Sequence, residues 1–224
     1  MQRYRGVMRD QRSTWTLGGI CLILCGLLGT VSTSYSASIT GNLLAALTAG
    51  LFAVSMLVFA VGRSAHASIV ARKPLGVVSL LLLAAFQVVG VIVDSAVTAT
   101  GNQLFQAPEI FLYAMIFAST AAALVAGMQI ARAGIVASPW CWAPLVVLLA
   151  QAVIWVVTQA GYSQLVYVSV AVAETLSLLG VVAWLLGTIG LGIVALFLSS
   201  RAYSPTVQVF GSASSEDTGH APRR

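Results

Sequence analysis

The chain has 224 residues, of which 59% are hydrophobic and 8% charged, and a formal net charge of +5. Soluble domains carry about a quarter charged residues, and a chain this short cannot hide so much apolar surface from water. The composition excludes an ordinary water-soluble domain and predicts an all-α integral membrane bundle whose first partner is the lipid bilayer.

A helix needs about 20 apolar residues to cross the hydrocarbon, and six stretches qualify. They are Trp15 to Val31, Leu43 to Val61, Leu75 to Val93, Ile110 to Ile130, Trp140 to Val157 and Leu176 to Leu198. The runs are continuously apolar, without the short alternating segments of a membrane barrel. The chain thus divides into a basic N-terminus (1–14), a six-helix domain (15–200) and a tail (201–224) rich in Ser, Gly, Pro and charge, which predicts disorder.

The first span follows Arg3, Arg5, Arg9 and Arg12 and leads into the small residues Ser32 to Ser38. This layout resembles a secretory signal, but the small residues are poorly placed for cleavage, so the span is expected to be retained. Cys21, Cys25 and Gly29 share one stripe on it. No His or further Cys lies close enough in sequence to complete a zinc site, so the stripe reads as a packing face.

Pro74, Pro108 and Pro139 mark helix starts, where a missing amide donor is harmless. Pro144 falls about one turn into the fifth helix and predicts an irregular first turn. The fourth span carries Ala114, Ala118, Ala122 and Ala126 at four-residue intervals, with Ala123, Gly127 and Ala131 beside them. The sixth carries Gly180, Ala183, Gly187 and Gly190. Small residues let helices approach closely in lipid, either within one bundle or in a homo-oligomer. Before the sixth span, residues 163–174 are ambiguous: Leu165 to Ala173 reads either as an outer extension of that helix or as a segment along the membrane surface.

Charge placement predicts orientation. With six crossings, all eleven Lys and Arg residues fall on one side, including Arg63, Arg72 and Lys73, Arg132, and Arg201, Arg223 and Arg224. Positive charge stays cytoplasmic during insertion, so both termini are expected inside. Trp15, Trp140 and Trp142 then mark the inner interface, and Tyr35, Tyr113, Tyr162 and Tyr167 the outer one. Arg outnumbers Lys ten to one, and Ala, Val, Leu and Gly dominate; this bias fits a high-GC bacterial genome and hence a bacterial plasma membrane. Topology accounts for the basic charge, and nothing further points to nucleic acid.

Polar residues at membrane depth are costly and point inward. Gln87 and Asp94 lie seven residues apart on one face of the third span. Gln151 and Thr158 are similarly placed on the fifth, and Gln87 and Gln151 are expected to hydrogen-bond across the bundle. Asp94, Glu109 and Glu174 fall near outer helix ends with no cation on that side. Glu109 suits the first turn of its helix through the helix dipole, whereas Asp94 and Glu174 are candidates for an acidic outer vestibule. His66 sits in an inner loop.

No phosphate-binding loop, HExxH motif or GxSxG elbow occurs. The only histidines are His66 and His220, and the only lysine is Lys73. Neither bis-histidine haem ligation nor a buried Schiff base is therefore expected, and no enzyme activity, cofactor or metal is predicted. Two readings survive. The preferred one is a noncatalytic membrane subunit or scaffold. The alternative is a small transporter or permease component that takes a cation or amine past Asp94, Glu174, Gln87 and Gln151.

Overall fold

Backbone amides and carbonyls surrounded by hydrocarbon must pair within their own segment, and for apolar stretches this long that means α-helix. A computed structural model describes residues 2–35, 38–62, 68–70, 73–100, 108–134, 136, 140–164 and 170–201. Their regular structure is helical throughout: α1 Gln2–Ser34, α2 Ile39–Val61, α3 Pro74–Thr100, α4 Pro108–Ala133, α5 Ala143–Gln164, α6 Val170–Leu185 and α7 Leu191–Arg201. A π-helical turn, Leu186–Gly190, joins α6 and α7 into a single span. Six of the resulting helices are long and apolar enough to cross a membrane.

Local chemistry sets several boundaries. The Ser38 side chain accepts a hydrogen bond from the Gly41 amide at 3.1 Å and caps α2. Gly62, with φ of 54°, ends that helix while its amide donates to the Val58 carbonyl. The chain then folds back. Ser68 Oγ donates to the Ala60 carbonyl at 2.7 Å, and the Ile69 amide donates to the Phe59 carbonyl at 3.1 Å. Two of the carbonyls left over at the helix end are thus satisfied inside the protein. Pro74 and Pro108 open α3 and α4. A 3-10 turn, Trp140–Trp142, precedes α5, so the irregular start expected near Pro144 is present. Residues 170–174 belong to α6, continuous with the sixth span; 165–169, His66 and the tail beyond Arg201 lie outside the described residues.

Consecutive spans pack antiparallel, and the sixth returns to α1, giving a ring of six. Thr16 Oγ1, near the start of α1, donates to Ser199 Oγ near the end of α7 at 3.3 Å. The best-buried cluster lies toward this end and includes Trp15, Phe59, Val70, Ile130, Val136 and Cys141. The same end collects Arg12, Lys73, Arg132 and Arg201, the cations within the described helices and their flanks that come after the first turns of α1. α5 is the least buried of the spans, with none of its described residues fully buried.

Small residues position the sixth span. Gly19 on α1 and Gly192 on α7 approach backbone to backbone. A Cβ added at either would meet the other's carbonyl oxygen at 2.9 and 2.8 Å. Higher up, Gly26 faces Thr188 and Gly29 faces the Trp184 indole. Cys21 and Cys25 are buried free thiols beside this seam, consistent with a packing face. On α4, Ala122, Ala126 and Gly127 are buried within the bundle, whereas Ala114 and Ala118 are exposed.

Candidate functional site

The ring of helices is not filled along its axis. A cavity of about 270 Å³ is lined by residues from all six spans. Phe52, Met56 and Phe59 of α2 and Leu80 and Leu83 of α3 supply apolar wall, as do Ala123, Ala126 and Ile130 of α4. Trp15, Val136, Trp140 and Leu198 line it toward the cation-bearing end, where the buried cluster makes a floor. The described lining residues that carry polar side-chain atoms are Gln87, Gln151, Thr188 and the tryptophans, and no Asp, Glu, Lys, Arg or His is among the described residues of the lining.

The polar part is organised around the π turn. A π turn accommodates one extra residue within a helix, which rotates the later part of the span by about 100° relative to an uninterrupted α-helix. Gly190, at the end of the turn, therefore does not continue the stripe of Ala183 and Gly187, and a Cβ added there would enter open space; Gly180, before the turn, also faces open space. Thr188, 2% exposed, donates from Oγ1 to the Trp184 carbonyl at 2.8 Å. Gln151 crosses from α5 to donate from Nε2 to the Ala183 carbonyl at 3.1 Å, and its amide nitrogen packs against Gly187. A carbonyl can only accept, so the amide orientation is determined and Oε1 keeps its acceptor capacity. Trp184 Nε1 is buried over Gly29 without a hydrogen-bond partner among the described residues.

The expected pairing of Gln87 with Gln151 is replaced by this backbone contact. The structure brings the two glutamines onto one cavity but gives Gln151 a carbonyl partner on the neighbouring span. Gln87 is half-buried on the cavity wall, and its side chain makes no hydrogen bond among the described residues. Asp94 and Glu174 are exposed on α3 and α6 and are not on the lining. Glu109 lies in the first turn of α4, in a stretch whose side chains fall outside the described set.

The Gln151 contact makes a prediction about stability. Gln151→Leu removes one interhelical hydrogen bond and should lower stability by about 1 kcal/mol. Gln151→Glu should be worse at neutral pH, because a carboxylate cannot donate to the Ala183 carbonyl and is desolvated there. Unfolding midpoints of both variants at neutral pH check this; a Gln151→Glu protein as stable as Gln151→Leu contradicts it.

No protein-family profile, curated protein or solved structure matches the chain.

Proposed function

We propose that the chain is a noncatalytic multi-pass membrane protein that reversibly binds a small, uncharged, largely apolar molecule in the centre of its bundle. The observation that carries this reading is the cavity walled by all six spans, apolar but for a few hydrogen-bonding side chains. Small-molecule sites typically have this make-up, including a location between the helices of a bundle. Binding is favoured over conduction because the cavity ends on the buried cluster around Trp15, Val70 and Val136. A neutral occupant is favoured over a cation because the described residues of the lining offer no carboxylate, and an unpaired charge there would be strongly penalised. Asp94 and Glu174, exposed and away from the lining, enter this reading only as surface charge. The cation-bearing end is assigned to the cytoplasm, in a bacterial plasma membrane, by the rule that positive charge is retained inside.

Toluene in lipid nanodiscs tests the reading, since a dry apolar cavity of about 150 Å³ accepts benzene. It should raise the unfolding midpoint of the natural chain and not that of Ala123→Phe, whose ring fills the cavity from α4. Equal shifts in both proteins would overturn the assignment, because bilayer partitioning alone acts on both.

A scaffold role keeps one supporting observation. Ala114 and Ala118 remain exposed on the outer half of α4, a flat strip against which a helix of a second copy can pack. Oxidative crosslinking of Ala118→Cys in the native membrane tests it. The natural cysteines are buried, so a dimer band must come from the introduced thiol.

A further inference from the structure

Resting on the binding role proposed above, the register of the helices further constrains what the cavity holds. Gly76 of α3 lies beside Gln129 of α4, and Gly127 of α4 lies beside Leu145 of α5. Counting along antiparallel helices from these contacts puts Gln87, eleven residues beyond Gly76, opposite position 118 of α4. The same count puts Gln151, six residues beyond Leu145, opposite position 121. The two amides thus stand within about 4.5 Å of one another in height, at 1.5 Å per residue.

Every α4 residue on the lining, from Ala123 to Ile130, lies below that level, toward the cation-bearing end. The glutamines therefore form the rim of the cavity. Trp140, eleven residues before Gln151, marks its lower reach, which makes the space ~16 Å deep.

Volume and depth together describe a narrow shape. If a 150 Å³ cavity accepts the six carbons of benzene, then 270 Å³ accommodates roughly eleven heavy atoms. Laid out as an extended chain with bonds of ~1.5 Å, ten or eleven atoms advance ~13 Å once the zigzag is allowed for, close to the depth of the space. A compact bicyclic ring system with the same number of atoms would leave much of that length empty.

The rim offers both kinds of hydrogen-bonding capacity. Among the described residues the Gln87 amide makes no hydrogen bond and Gln151 uses only its Nε2, which leaves Oε1 to accept. A hydroxyl donates and accepts at once and suits both. A carboxylate has no proton to give and would lose its hydration without a cation among the described lining residues to compensate it.

We propose that the cavity is a site for a neutral single-chain amphiphile of about ten carbons. Its polar group, a hydroxyl or a similar donor–acceptor, sits between Gln87 and Gln151, and its chain runs down to Trp140.

The test uses the full chain in phosphatidylcholine nanodiscs with three ten-carbon probes: 1-decanol, n-decane and decanoate at pH 8. At about 100-fold excess over its dissociation constant, 1-decanol should raise the unfolding midpoint by roughly 5–10 °C. It should exceed both other probes, and its advantage over n-decane should vanish in Gln87→Leu/Gln151→Leu. In Ala123→Phe, or Val147→Phe should the first fail to fold, all three probes should lose their effect. If n-decane matches 1-decanol in the natural chain while the blocked variants respond to neither, the cavity binds but the amphiphile assignment falls. If the blocked variants respond like the natural chain, both the assignment and the binding role fall. A preference for decanoate overturns the choice of a neutral head group.

Discussion

Gly192→Val is expected to lower the stability of the bundle by roughly 3 kcal/mol or more, at the top of the range for overpacking. Gly192 sits where α7 crosses α1, and an added Cβ would meet the Gly19 carbonyl oxygen at 2.8 Å and the Ile23 side chain at 2.7 Å. A flexible side chain can swing aside, but a backbone carbonyl held within a helix cannot. The only relief is to separate the two helices, which opens the seam along which Gly26 packs on Thr188 and Gly29 on Trp184. For a chain of this size the loss corresponds to a midpoint lower by about 6–12 °C. Gly50→Ala supplies the contrast, since an added Cβ there has nothing within 4 Å. The gain in helix preference should stabilise that variant by about 0.5–1 kcal/mol. Opposite signs for the two glycines, read from thermal unfolding in the same nanodiscs, check the prediction. A Gly192→Val protein as stable as the natural one would mean that α1 and α7 do not approach this closely.

The difference between these glycines also shows what a sequence can and cannot convey in a bundle of this kind. Span number and approximate ends were legible, because hydrocarbon thickness translates directly into the length of an apolar run, and Pro74 and Pro108 open helices for a local steric reason. That small residues would mediate packing was legible too. Which of them meet was not, because contact depends on how each helix is rotated about its axis. The π turn after Leu185 changes that rotation by about 100° halfway along the sixth span and divides its small-residue stripe. Gly187 faces Gln151, whereas Gly190, at the far end of the turn, faces open space.

Among the site residues, Gln87 and Gln151 stood out in sequence because polar groups at membrane depth are conspicuous. The partner of Gln151 is a main-chain carbonyl, however, and carbonyls are invisible in side-chain patterns. The cavity left no sequence signal at all. Its walls are ordinary apolar residues, and it exists because of where those residues fail to meet. Asp94 and Glu174 drew notice by their charge, which says nothing about whether a residue points toward the axis.

The seam between α1 and α2 allows a stricter test of the packing. Phe59, 5% exposed, lays its ring over Gly18, so that an added Cβ would lie 2.6 Å from Cζ and 2.7 Å from one Cε. Ser55 Oγ donates to the Gly18 carbonyl at 2.9 Å and pins α1 at the same point, so neither helix is free to slide away from the overlap. Phe59→Ala should therefore cost about 3–5 kcal/mol by leaving a cavity, and Gly18→Ala about 1–3 kcal/mol by overpacking. Their combination should cost less than the sum, because the new methyl enters space that the ring has vacated. A coupling of about 1–2 kcal/mol is expected for residues in direct contact. Gly50→Ala combined with Phe59→Ala should add without coupling, since a Cβ added at Gly50 meets nothing within 4 Å. A Gly18–Phe59 cycle that proves strictly additive would mean that the ring and the glycine do not touch. The position of α2 against α1, and with it the wall that Phe52, Met56 and Phe59 present to the cavity, would then have to be redrawn.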